Sequence, residues 1–167
     1  MNSTLGEFLD SKILVYAFTA DPRAAVAQGL LERGGIISVQ GLNEFTSMAR
    51  RKLTMTWAEV LESLAAIRTL CDTILPIDIE THAEGLRIAE YYGYAMFDTL
   101  IIASALRANC NTLWSEDMQD GIVIDGRLHT PTPSVRRVDR PRHSAAGSRC
   151  RRSEDCGRLV AEGRLPR

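Results

Sequence analysis

Asp10 in FLDSKILVYAF, Glu44 in SVQGLNEF, Asp98 in MFDTLIIASAL and Asp117 in TLWSEDMQDG each stand at the edge of a short apolar run. Runs of that length are where a buried strand or helix ends, and a carboxylate there loses hydration unless something binds it. Hard divalent cations take carboxylate oxygens, so the four acids read first as candidate metal ligands. If they converge, two carboxylates ~6 Å apart repel by roughly 3 kcal/mol at an effective dielectric of ~20. Several such pairs amount to a large share of the ~5–15 kcal/mol that keeps a domain folded. Either some of the acids bind protons or a cation neutralises them. One or two Mg²⁺ or Mn²⁺ ions would do so, and would also activate water and stabilise charge building on a phosphoryl group. No His or Cys cluster accompanies the acids, which turns the reading away from zinc.

The elements that must position these acids follow from periodicity. Residues 5–9 read as a strand ending at Asp10, and residues 13–17 repeat at helical spacing. Residues 24–33 form an Ala/Leu-rich helix stopped by Gly34-Gly35, and residues 36–39 are β-branched and brief, hence a strand. A helix is expected over residues 43–52, and another from a Thr56/Glu59 capping box to about Leu70. Residues 74–79 read as an edge strand, because Pro76 cannot donate to a ladder. Thr81 opens a helix closed near Gly93, and Asp98 is expected to cap an apolar helix over residues 100–108. Strands are expected at residues 112–115 and 122–124. Strands alternating with helices predict an α/β fold with a mainly parallel sheet. In such sheets ligand sites form at the carboxyl ends of the strands, where four acids far apart in sequence can meet.

The chain of 167 residues, 45% hydrophobic and 25% charged, suits one soluble domain. No apolar stretch approaches the ~20 residues of a membrane span, and MNSTLGEFLD lacks a signal peptide's basic start. The four cysteines (Cys71, Cys110, Cys150 and Cys156) form no CxxC pair, so reduced thiols and a cytoplasmic location are expected. A net charge of −1 conceals a division. Residues 1–135 carry 10 Lys+Arg against 17 Asp+Glu, whereas residues 136–167 carry 10 arginines against 4 acids. That last segment lacks apolar periodicity and is expected to be a disordered or non-native tail. Its arginines could touch RNA phosphates, but a solvated tail is the plainer reading.

Taken singly, Asp98 reads as an N-cap, Glu44 as a solvated helical acid and Asp120-Gly121 as a turn. The joint pattern favours a metal site. FLDSKILVYAF, LNEF, MFDTLIIASAL and LWSEDMQDG, in this order, resemble the four acidic motifs of PIN-domain ribonucleases, and VapC-type toxins of bacterial toxin–antitoxin pairs most closely. The resemblance covers about residues 5–128. It implies a three-layer α/β/α fold with a short central, mainly parallel sheet, and a nuclease domain spanning residues 1–135. It implies Asp10, Glu44, Asp98 and Asp117 as catalytic, metal-binding acids, Asp120 as an auxiliary acid and Ser115 as a hydroxyl near the site. It also implies Mg²⁺- or Mn²⁺-dependent cleavage of RNA phosphodiesters, a homodimer, and inhibition by a small antitoxin encoded beside it.

Two departures qualify the resemblance. The family usually carries Asn two residues after the first Asp, where this chain has Lys12. An ammonium there is expected to pair with Asp10 or Asp98 and weaken metal binding, or to contact the scissile phosphate. An inactive PIN-like module that only binds antitoxin or RNA is therefore the alternative. Secondly, Gly126-Arg127-Leu128 leads into HTPTPSV and the arginine tail, so the last strand is the element expected to be lost or replaced. A phospho-accepting aspartate would want a second acid close behind Asp10, which Asp10-Ser11-Lys12 lacks.

Overall fold

In a computed structural model of the protein, residues 6–134 are described, so Leu5 and the arginine-rich segment lie outside the described residues. The order of elements is β1 (Glu7–Leu9), α1 (Ser11–Ala17), α2 (Ala24–Glu32), β2 (Ile36–Ser38), α3 (Val39–Arg51), α4 (Trp57–Leu70), β3 (Thr73–Leu75), α5 (Ile79–Tyr92), α6 (Met96–Arg107), β4 (Thr112–Trp114), β5 (Ile122–Ile124) and β6 (Leu128–Thr130). The six strands make one sheet in the order β3-β2-β1-β4-β6-β5. Every pairing is parallel except β5 with β6.

Side-chain alternation along the strands divides the core in two. Phe8 and Leu113 point to a cluster with Ile88 of α5 and Ile101, Ile102 and Leu106 of α6. Leu9 and Ile37, one residue along, point to the opposite cluster with Ile13 and Leu14 of α1, Leu31 of α2, Phe45 of α3 and Ile67 of α4. The register pairs Phe8 with both Ile36 and Leu113, and Leu9 with Trp114, so the two faces stay in phase across the sheet. Helices α1–α4 thus cover one face and α5–α6 the other, giving the expected three-layer α/β/α architecture. Among the described residues no helix is long and apolar enough to cross a membrane.

Four local expectations are corrected. Helix α3 begins at Val39, not Asn43, because Ser38 ends β2 and caps the helix by accepting a hydrogen bond from the Gly41 N–H. Helix α5 begins at Ile79, not Thr81, behind Asp78, which caps it by accepting the Thr81 N–H at 2.7 Å. Asp98 is not a cap. Helix α6 starts at Met96 behind Ala95, which places Asp98 inside the first turn. The last strand is present: β6 lies between β4 and β5 and extends the parallel ladder through Thr112 and His129. Elsewhere the Thr56/Glu59 capping box forms as expected, and Gly93 closes α5 with φ +75°.

Order β2-β1-β4 means the chain leaves β1 in one direction for β2 and the other for β4. Loops therefore part at the carboxyl ends of β1 and β4, leaving a crevice there. Helices α1 and α3 start at that edge because they follow β1 and β2 directly. Helix α6 starts there because a helix leading into a parallel strand runs back along it.

Close packing at the amino end of β2 rests on Gly35, where an added Cβ would lie 2.5 Å from Leu9 Cδ1, a side chain only 1% exposed. At Gly29, inside α2, an added Cβ meets nothing within 4 Å. Gly35→Ala should therefore destabilise by about 1–3 kcal/mol through overpacking, while Gly29→Ala should stabilise by about 0.5–1 kcal/mol through helix propensity. Urea midpoints at constant m-value check the pair; equal effects of one sign would contradict this packing.

Candidate active site

Asp10 follows β1 without an intervening residue. Its backbone N–H still reaches Trp114 O of β4 at 3.0 Å, so it is fixed at the crevice by the ladder itself. The side chain is 3% exposed. Its Oδ1 accepts the Ser11 N–H at 2.5 Å and lies 3.1 Å from Ser11 Oγ, while Oδ2 accepts the Ser115 hydroxyl at 2.6 Å. Burial pushes its pKa up from 3.8 to about 6. The two serines pull it down, and the charge of Asp117 adds to the rise.

Two of the other acids, Glu44 and Asp117, reach Asp10 through this hydroxyl frame. Ser11 Oγ donates to Glu44 Oε2 at 2.6 Å, and Gln40, one turn earlier on α3, donates to Glu44 Oε1 at 2.9 Å. Ser115 Oγ accepts the Asp117 N–H at 3.2 Å while donating to Asp10, so one hydroxyl joins two of the acids. Asp98 is half-buried and accepts no hydrogen bond from any described residue. Burial raises its pKa, the charges of Asp117 and Glu44 raise it further, and Lys12 opposes them. Repulsion among the acids is thus felt at Asp10 and Asp98, and the four expected carboxylates share one electrostatic site.

Lys12 corrects an expectation. Its ammonium pairs with Asp117 Oδ1, not with Asp10 or Asp98. Burial lowers the pKa of this ammonium, but the Asp117 carboxylate, helped by Glu116 and Asp10, outweighs it and holds it above its usual value. Asp120, expected as an auxiliary acid, braces the loop. Its carboxylate accepts the Thr132 N–H at 2.8 Å.

Sequence reading missed Ser11, Gln40 and the Arg23–Glu116 ion pair. Arg23 lies 4.0 Å over the Tyr16 ring, also pairs with Asp21, and holds Glu116 next to Asp117. Ser11 was detectable: a hydroxyl beside a buried Asp can satisfy it. The partners 33 and 93 residues away were not.

Comparisons with known proteins agree with this fold. A family model described as the PIN domain matches residues 8–119. The chain belongs to the PIN-domain family. Solved structures show the same fold at low identity. The Mycobacterium tuberculosis VapC20, a sarcin–ricin-loop-cleaving toxin, is 15% identical, with a TM-score of 0.56 over 66% of this chain and 89% of that one. A toxin–antitoxin complex from Klebsiella pneumoniae is 19% identical, with a TM-score of 0.59 over 77% and 98%. DNA-bound VapBC from Salmonella typhimurium is 15% identical, with a TM-score of 0.59 over 78% and 99%. No curated protein matches the sequence.

The donor set of this PIN domain suits a hard divalent cation: four carboxylates, one buried, one without a hydrogen bond, and one already drawing in an ammonium that acts as a stand-in cation. As the side chains stand, no three metal-ligating groups among the described residues close around one point.

Stability should carry the signature of Asp10. The native state holds its proton to about pH 6, whereas the unfolded chain releases it near 3.8. Between these values the unfolded state binds fewer protons, so stability falls as pH rises. Asp10→Asn removes the buried charge and should be more stable than the parent at pH 7 in chelator, by up to about 3 kcal/mol. The gap should close by about pH 4. Urea denaturation across that range is the check; a gap independent of pH would contradict the shift.

Proposed function

We propose that the protein is a Mg²⁺- or Mn²⁺-dependent endoribonuclease that cleaves RNA phosphodiester bonds, the toxin of a toxin–antitoxin pair. One observation supports this reading: serine hydrogen bonds join Asp10, just after β1, to Glu44 of α3 and Asp117 after β4, and Asp98 of α6 feels the charges of Glu44 and Asp117. Asp10, Glu44, Asp98 and Asp117 are the residues that would hold the ion. A bound divalent ion supplies Lewis acidity and lowers the pKa of water. Ser11 and Ser115 lock both oxygens of Asp10 in place, so little ordering remains to be done when a substrate phosphate arrives. Gln40 fixes Glu44, and Arg23 fixes Glu116 at the base of the Asp117 loop. Lys12 places a compact charge at the rim, where an RNA phosphate can reach it.

Partners follow the same reading: RNA as substrate, a small antitoxin, and a second copy of the chain, in the cytoplasm. The similar solved structures are a toxin and toxin–antitoxin complexes, which supports it. Exposed Trp57 and Leu61 on α4, and Ile79 and Leu86 on α5, offer apolar surface for such partners. The Lys12–Asp117 pair favours one second reading, a PIN module that binds antitoxin or RNA without cleaving.

Cleavage of structured RNA with Mn²⁺ separates the two. The parent should cut, and Asp10→Ala and Asp117→Ala should each lose on the order of 100-fold or more, since even outer residues of a metal site cost 10–100-fold. Activity surviving both substitutions would contradict the four-acid mechanism. RNA binding without cleavage by the parent would select the second reading.

A further inference from the structure

We infer that Lys12 is a built-in counter-cation that competes with the divalent metal for Asp117, so that metal loading requires its displacement. This inference rests on the metal-site reading above and concerns how that site is regulated.

The geometry points to competition. Lys12 lies in the first turn of α1, two residues after Asp10, and spans the crevice to Asp117 on the loop after β4. Its side chain is 29% exposed and that of Asp117 36%, so the pair sits at the mouth of the site, above the buried Asp10. The ammonium takes Oδ1 of Asp117, an oxygen that hydrogen bonds leave otherwise unengaged. Asp10 and Glu44 have both of their oxygens occupied by serine or glutamine donors. Asp117 is therefore the ligand whose availability one rotamer of one side chain controls.

Charge gives the pairing two opposed effects. With Lys12 on Asp117, repulsion on Asp98 and Asp10 is relieved and the folded chain is stabilised. An incoming dication must break that pair and then share the crevice with the released ammonium, which repels it. Both effects weaken metal binding. A half-exposed ion pair is worth up to about 1 kcal/mol, or about fivefold in a binding constant. Repulsion by the freed ammonium adds to this, so the expected effect of removing it is about five- to tenfold.

Lys12→Met keeps the length of the side chain and deletes the charge, whereas Lys12→Arg keeps the charge. Calorimetric titration of the full chain with MnCl₂ alone, at low ionic strength after chelator dialysis, compares them with the parent. Arg33→Met, which removes an exposed cation paired with Glu7, controls for net charge. Lys12→Met should bind Mn²⁺ about five- to tenfold tighter than the parent, while Lys12→Arg and Arg33→Met stay close to the parent. Added salt should narrow the gap. In chelator, Lys12→Met should melt at lower temperature than the parent, and Mn²⁺ should raise its melting point by more.

Mn²⁺ binding by Lys12→Met no tighter than the parent would overturn the competition while leaving the metal site intact. Equal tightening in Arg33→Met would also overturn it, by reducing the effect to net charge. Absence of Mn²⁺ binding in every variant would overturn both the competition and the metal-site reading beneath it.

Discussion

Burial of one carboxylate at the carboxyl end of a central strand is the constraint on which the site depends. Asp10 belongs at once to the sheet, through its N–H to Trp114 O, to α1 as its cap, and to the crevice through its carboxylate. An acid with 3% exposure would be costly to leave charged without the three donor contacts from Ser11 and Ser115. Those same hydroxyls reach Glu44 and the backbone of Asp117. The groups that make Asp10 tolerable are thus the groups that hold Glu44 and Asp117 beside it.

Topology explains why the cluster forms in this crevice and nowhere else on the sheet edge. The strand order reverses between β1 and β4, so the loops diverge and leave room. Helices from both layers begin there. α3 brings Glu44 from one side, and α6 brings Asp98 from the other. An acid in the first turn of α6 also faces the positive end of that helix, which offsets part of its repulsion from Asp117 and Glu44.

The architecture was readable in the sequence because strand periodicity, glycine stops and the Thr56 capping box act locally. Ser38, a polar residue at the end of a β-branched run, could have placed the start of α3 correctly, since its role as cap is also local. The order of the acidic motifs was readable because each sits at a change from apolar run to loop. What sequence could not give is the choice of partner. Lys12 lies two residues from Asp10 yet pairs with Asp117, 105 residues away, because Asp10 is already satisfied by hydroxyls and Asp117 is not. Asp98 looked like a cap for a similar reason. The turn before it, Ala95-Met96-Phe97, carries no polar side chain to mark the true helix start.

The site is thus held in balance between its negative charge and the ammonium of Lys12. The most direct test is to locate the cation on the protein itself, by paramagnetic broadening of amide NMR signals as Mn²⁺ is added in small amounts. Signals of Asp10, Ser11, Glu44, Asp98 and residues 115–117 should vanish first, while those near exposed acids such as Glu80 and Glu90 persist. Broadening spread evenly over the acidic surface, or centred away from the β1–β4 crevice, would contradict the convergence of the four carboxylates on one cation.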